Sequence, residues 1–228
     1  YNLEAAEAAA ARLGGPVLAV SADVTDQTSL RDAMNQVCAR FGGVDIVIPN
    51  AGVAHVASLA ELTSEDWDRV VAVNQTGVLH TLQVCGEMLR QQGRGGSIVL
   101  VSSKNVLAPG ASFGAYSASK AGAHQLAKVA AMELAAEQIH VNMVCPDAVF
   151  RHGDNPSGLW ATVGPDRAKS RGLSENELEE FYRQRNLLHA EVGAEDVGQA
   201  VLFFAARRTP TTGASLPVDG GVSAAFPR

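Results

Sequence analysis

Short apolar runs alternate along the chain with longer stretches whose apolar residues recur every three or four positions, the pattern of buried strands separated by helices. Asn2 is placed to cap a helix over Leu3 to Leu13, stopped by Gly14-Gly15. Val17 to Val20 reads as a strand, with Asp23-Val24 after it, and Thr25 or Asp26 starts a helix to about Phe41, stopped by Gly42-Gly43. Val44 to Ile48 reads as a buried strand ending in Asn50-Ala51-Gly52. Thr63, with Asp66 three residues on, opens a helix running to about Arg90 that carries Asn74 in its middle. Gly93-Arg94-Gly95-Gly96 precedes a strand instead of following one, so it reads as a turn and not as a phosphate loop.

Ile98 to Val101 forms the next buried strand and ends at Ser102-Ser103. A loop with Pro109-Gly110 leads into a helix from about Ala115 to about Gln138, and His140 to Cys145 is a further strand. A charged helix near Glu175 to Arg185, a helix over Ala194 to Ala206 and a strand from Leu216 to Gly221 complete the pattern. Arg167, Lys169, Arg171, Arg183 and Arg185 are balanced by acids and read as a solvated face; Trp160 is either a lid aromatic or a core residue. Strands alternating with helices predict an α/β fold, a Rossmann-like doubly wound parallel sheet with helices on both faces. Such sheets bind ligands outside the carboxyl ends of their strands, where the polar clusters of this chain fall.

Composition narrows the function classes. The 228 residues are 46% hydrophobic and 18% charged, enough for one sizeable globular domain. A net charge of −6 gives no reason to expect a nucleic-acid partner, and no apolar run approaches the length of a membrane span. Cys38, Cys85 and Cys145 are odd in number, lack CxxC spacing and sit in apolar contexts, which predicts free thiols in a reducing, cytoplasmic setting. The six histidines form no metal-binding spacing, so no metal is expected.

The chemistry concentrates around one helix. Tyr116 and Lys120 are four apart and share a helix face, and Ser103 is delivered nearby by the preceding strand. A free tyrosine, with a pKa of about 10, is a poor base at neutral pH. Lowering that by three units needs about 4 kcal/mol, which one ammonium about 4 Å away supplies at an effective dielectric of about 20. A Tyr/Lys pair can then accept an alcohol proton while a serine hydroxyl holds the substrate oxygen.

Ser103 lies 13 positions before Tyr116, and this YxxxK-plus-serine arrangement resembles the short-chain dehydrogenase/reductase family. The resemblance implies that Asn74, Ser103, Tyr116 and Lys120 are the catalytic set, with Asn74 distorting its helix so that a backbone carbonyl holds a relay water. It further implies that Asp23 and the backbone of Val24 meet the adenine, that the Asn50-Ala51-Gly52 motif lies against the cofactor, and that Tyr116 and Lys120 also contact it. Pro146 and Val149 stand where the family contacts the nicotinamide, although Asp147 replaces a usual glycine. Arg151, near the position of a usual threonine, is either a contact for a cofactor phosphate or an arginine in solvent. Asp23 also has a plain reading as a turn or cap residue. The TG…VDGG ending, from Thr212 to Gly221, commonly builds a subunit interface in the family, which implies a homo-oligomer.

The family's glycine-rich phosphate turn is not found, so the chain is expected to lack the first βαβ unit, about 30 residues, and to be the C-terminal part of a longer polypeptide. The acid that selects NAD over NADP would precede Tyr1, and Tyr1 is not the base that follows in NADP-preferring members, so NAD is expected, with NADP open. Pro146 to Phe150, the segment Phe181 to Leu188 and the ending Val218 to Arg228 resemble the dehydrogenase domains of bifunctional aldolase/dehydrogenase proteins associated with rhamnulose-1-phosphate cleavage and lactaldehyde oxidation. This implies NAD-linked oxidation of lactaldehyde to lactate in deoxysugar catabolism, acting on the hydrated aldehyde, with a covalently linked aldolase domain upstream. The alternatives are a polyol or sugar-phosphate dehydrogenase acting on a secondary alcohol, and a non-catalytic assembly domain of the same fold.

Overall fold

The structure, a computed structural model, describes residues 2–153 and 155–226. Tyr1, whose identity bears on the NAD expectation, and the last two residues of the C-terminal motif lie outside the described residues.

Helix α1 (Leu3–Leu13) is capped by the Asn2 side chain, which accepts from the Ala5 amide, and α2 (Gln27–Phe41) by Asp26, with Gly42 in the left-handed conformation at its end. Strand β1 (Ile46–Val47) follows, then α3 (Ser64–Val71), capped by Thr63. A π-helical turn over Ala72–Thr76 joins α3 to α4 (Gly77–Gln92). Strand β2 (Gly96–Val101) leads through a 3₁₀ turn at Lys104–Val106 into α5 (Gly114–Glu133), and β3 (Ile139–Pro146) follows. A small antiparallel hairpin, β4 (Arg151–His152) with β5 (Asn155–Pro156), precedes α6 (Gly158–Lys169) and α7 (Glu175–Gln184). The chain then forms α8 (Ala194–Ala205) and β6 (Ser215–Val218).

The main sheet runs β1-β2-β3-β6 and every pairing in it is parallel. Alternation along β2 assigns its two faces: Ile98 and Leu100 pack with Ile139, Val141 and Met143 against α4 and α5, whereas Val99 and Val144 pack against Ala200, Val201 and Phe204 of α8. Both faces of β2 and β3 are therefore buried, as expected for a doubly wound sheet.

Three expectations need correction. Val17–Val20 is not a strand: no described segment runs beside it to form a ladder, and Val17 and Leu18 are exposed. Val44–Ile48 is not a buried strand. Only Ile46–Val47 pair, on one side, with β2, and Ile46 and Ile48 are exposed at the sheet edge. The basic residues near the C-terminal third are not one solvated face, because Arg167 is buried and Arg185 is clamped on Asp147. Helix α6 was not foreseen. Gly158, Gly164 and Pro165 read as breakers, yet Ser157 caps it and Val163 and Ala168 supply its buried side.

Candidate active site

The carboxyl ends of β2 and β3 open into a cleft of about 730 Å³. Ser103, Tyr116 and Lys120 line it together, with Asn50 and Gly52 on one side and Pro146 and Val149 on another. Phe113, Trp160 and Val163 form an apolar wall, and Tyr182 of α7 also lines the cleft. The strand–turn–helix path from Ser103 to Tyr116 is thus closed by packing, with the Phe113 and Tyr116 rings 5.5 Å apart.

Asn74 does not reach this cleft. It is completely buried in the π-turn, and its amide is tied to the loop below: Nδ2 also donates to Ser119 Oγ at 3.1 Å, while Ser119 Oγ donates to the Tyr116 carbonyl at 2.9 Å. The distorted helix expected at Asn74 is present as that π-turn.

The electrostatics of the Tyr/Lys pair differ from expectation. Lys120 Nζ donates to the Val101 carbonyl at 2.9 Å and lies 6.0 Å from the centroid of the Tyr116 ring. Burial brings Lys120 down to about 8. Burial also pushes the Tyr116 phenol above its ordinary value, with hydrogen bonding to Ser103 acting in the opposite sense. Burial of the phenol therefore sets the direction of its shift, with Lys120 held on a backbone carbonyl instead of on the phenol oxygen.

The outlying candidates divide. Val24 packs against α4, where its carbonyl meets His80 Nδ1 at 3.1 Å. Asp23 accepts from the Thr25 amide and hydroxyl, which lower its pKa, so its carboxylate is engaged as a turn residue. Ala51 sits in the loop between Asn50 and Gly52 but does not line the cleft. Arg151 is not brought to the site: it pairs with Glu179 and with Glu191 at 3.7 Å on the outer surface. Cys145 is fully buried and burial pushes its thiol up to about 11.

Two cleft residues, Lys104 and Asn105, were not singled out by sequence reasoning. The available signal was a lysine immediately after Ser103 at the end of a buried strand, where a charge is costly unless used.

For a nicotinamide cofactor, the ribose and nicotinamide end fits these residues. A Cβ added at Gly52 would lie 3.4 Å from Asn74 Oδ1 and 3.5 Å from Lys120 Nζ, so bare backbone passes beside an ammonium with donors to spare. No glycine-rich turn joining a strand to a helix is found among the described residues for the pyrophosphate.

Comparison with known proteins agrees with this arrangement. Residues 1–152 match the family described as short chain dehydrogenase. The chain is similar to the uncharacterized oxidoreductase YuxG of Bacillus subtilis, 36% identical over 234 residues, covering 100% of this chain and 33% of that protein. It is also similar to a D-beta-hydroxybutyrate dehydrogenase of Rhizobium meliloti, 32% identical over 92% of this chain and 80% of that one. Among solved structures, sorbitol-6-phosphate 2-dehydrogenase SrlD of Erwinia amylovora superposes with a TM-score of 0.85 at 25% identity, over 96% of this chain and 85% of that chain. The chain thus spans a third of the first relative's length and most of the other two. Among the described residues no helix is long and apolar enough to cross a membrane.

Proposed function

The chain belongs to the short-chain dehydrogenase family, an oxidoreductase class acting on small molecules with nicotinamide cofactors, and from that premise we propose that its cleft exchanges hydride between NAD and a hydroxyl-bearing carbon of a small substrate. The observation that carries this reading is the convergence of Ser103, Tyr116 and Lys120 on one cleft at the strand ends.

In this reading Ser103 Oγ holds the substrate oxygen and Tyr116 Oη exchanges the proton with it. Lys120 Nζ, anchored on Val101 O, offers its remaining N–H donors to the cofactor ribose. Asn74, which exchanges hydrogen bonds with the Val53 backbone, holds the loop that carries the cleft residues Asn50 and Gly52. The cofactor supplies the hydride acceptor or donor. A phenol held above its ordinary pKa suits proton donation to a carbonyl undergoing reduction, so oxidation is favoured at alkaline pH.

The leading substrate is lactaldehyde, oxidised to lactate as its hydrate. The resemblance of Pro146 to Phe150, Phe181 to Leu188 and the ending Val218 to Arg228 to bifunctional aldolase/dehydrogenase proteins supports it, and with it a linked aldolase unit; the cysteine pattern supports a cytoplasmic setting and the Thr212 to Gly221 motif a homo-oligomer. The second reading is a polyol or sugar-phosphate dehydrogenase, favoured by the superposition on SrlD. An assembly domain without catalysis is disfavoured by the intact Ser103/Tyr116/Lys120 cleft.

The test is a panel of lactaldehyde, sugar alcohols and their phosphates with NAD and NADP, read by absorbance of the reduced cofactor, alongside NADH titration. Lactaldehyde turnover with NAD supports the first reading and turnover of a polyol or its phosphate the second. Absence of both turnover and nucleotide binding would leave the assembly domain.

A further inference from the structure

Cations gather behind the Phe113 and Tyr182 wall of the cleft, in a chain whose net charge is −6. Lys104 is 6% exposed and lines the cleft. Its Nζ donates to the Ala108 carbonyl at 3.0 Å, which occupies one of three N–H donors. Asn105, next to it and also lining the cleft, makes no side-chain hydrogen bond among the described residues, leaving its amide open to a ligand.

Three arginines stand behind this pair. Arg167 is 2% exposed, with Nε donating to Tyr182 Oη at 3.2 Å and its guanidinium 4.5 Å from the Phe113 ring centroid. Arg171 lies 4.5 Å over the Phe181 ring and its buried Nε has no partner. Arg185 lies 4.0 Å over the Tyr182 ring and is clamped on Asp147. Among the described residues no ion pair reaches Lys104, Arg167 or Arg171, and Asp147 is taken by Arg185. Burial, followed by the charge of Arg185, brings Lys104 down to about 8, as expected for an ammonium short of counter-charge. Desolvated positive charge of this kind is costly unless an anion completes it, and a cleft with low-dielectric walls focuses the resulting potential.

We infer that the Lys104 and Asn105 side chains form an anion subsite, so that the substrate is a small hydroxy compound carrying a carboxylate or a phosphate monoester. The anionic group takes the free Lys104 N–H donors and the Asn105 amide, and the surplus charge of Arg167 and Arg171 draws it inward. The substrate hydroxyl is then left toward Ser103, which precedes Lys104 in the chain, and Tyr116. This inference rests on the hydride-transfer reading and deepens it by naming the substrate class; within that reading it sets anionic hydroxy compounds, sugar phosphates among them, ahead of uncharged lactaldehyde.

Matched pairs decide it: a polyol against its phosphate, and 3-hydroxybutyrate against its methyl ester. The wild-type protein should prefer an anionic member by about tenfold or more in kcat/KM, the worth of one charge-assisted hydrogen bond. Which pair shows the preference tells phosphate from carboxylate. Lys104→Gln should collapse the ratio to within about threefold, while Lys104→Arg, which keeps the charge, should retain much of it. Equal use of both members by the wild type, or an unchanged ratio in Lys104→Gln, would overturn the inference. So would a weakened NADH affinity in Lys104→Gln with the substrate ratio intact, since the anion would then be the cofactor's.

Titration of inorganic phosphate at fixed ionic strength adds a readout independent of turnover. The wild type should bind it about tenfold more tightly than Lys104→Gln, and equal binding would again overturn the inference. Phosphate binding that depends on Lys104, with no turnover of any substrate, would instead sink the hydride-transfer reading and leave the anion subsite standing.

Discussion

Asn74 and Val53 exchange a pair of hydrogen bonds: the Val53 amide donates to Oδ1 at 2.8 Å, and Nδ2 donates to the Val53 carbonyl at 2.8 Å. A side-chain amide thus replaces a strand partner for the loop that carries Asn50 and Gly52. The π-turn delivers that amide, since one extra residue in the helical turn rotates Asn74 inward from a face that a regular helix of this sequence would leave ambiguous.

Asn74→Asp keeps the shape and removes the donor. A carboxylate would face the Val53 carbonyl in a fully buried position, so the variant should lose about 3 kcal/mol of stability. Denaturant melts should show this loss, and turnover should drop with it because the cleft floor is no longer held. A variant with unchanged stability would mean the paired bonds contribute little.

Gly77 begins α4 against Val24, and a Cβ there would lie 2.7 Å from Val24 Cγ2. Gly77→Ala should therefore destabilise by about 1–3 kcal/mol despite the better helix propensity of alanine. Adding Val24→Ala should recover part of the loss, measured as a non-additive double-mutant cycle. Additive effects would show that the two sites do not meet.

The readable parts of this chain were those in which local pattern and tertiary need agree. Asn2 and Thr63 cap the helices they were expected to cap, Asp26 is the one of the two candidates that caps the second, and the apolar run Ile98–Val101 was legible as a buried strand because both its faces are covered. The convergence of Ser103, Tyr116 and Lys120 was legible because their spacing is enforced by a single strand–turn–helix path. What failed depended on partners distant in sequence. Val17–Val20 has strand composition and, among the described residues, no neighbour to pair with, while α6 has breakers in its sequence and a packed face that overrides them. Arg167 looked solvated because its partners come from two other segments, Ala111 and Phe113 before α5 and Tyr182 on α7. The direction of the Tyr116 shift was hidden for the same reason: spacing places Lys120 nearby, but only packing reveals that both groups are desolvated.

A thiol route to aldehyde oxidation makes a contrary demand. Burial pushes Cys85 and Cys145 up to about 11, so neither presents a thiolate near neutrality. Alkylation of the native protein near pH 7.5 should modify half-buried Cys38 first, leaving the other two and the activity intact. Loss of activity tracking modification of Cys145 would favour covalent catalysis.

Tyr116→Phe removes the proton-exchanging oxygen and little else, since the ring keeps its contact with Phe113. Turnover should fall by about 10²–10⁴-fold while NADH affinity stays near the wild-type value. In the wild type, oxidation should speed up and reduction slow down as the pH rises above neutrality, because the phenol is held protonated by its surroundings and accepts the substrate proton only once it has given up its own. A variant with undiminished turnover, or a wild-type oxidation rate that is flat with pH, would remove Tyr116 from the reaction.

His124 lies behind the cleft on α5, where Nδ1 meets Ser102 Oγ at 3.0 Å and Nε2 meets Ser215 Oγ at 2.9 Å, stitching β2, α5 and β6 together. Burial, then the nearby Lys128 charge, brings its pKa from 6.5 down to about 4. Because the folded value lies below the unfolded one, the unfolded chain binds the proton first, and folding stability is lost as the pH falls from about 6.5 through 4. The full difference corresponds to about 3 kcal/mol, or a fall in Tm of roughly 6–12 °C for a domain of this size. His124→Gln should be less stable at neutral pH, having given up one of the two hydroxyl contacts, but it has no imidazole to titrate. Its acid loss should therefore be shallower than that of the wild type by about that amount, the remainder belonging to carboxylates such as Asp66 and Glu180 that are held below their usual range in both proteins. Parallel Tm-against-pH curves for the two proteins would show that His124 is already free to take a proton in the folded state, which two hydroxyl-filled ring nitrogens in a buried position argue against.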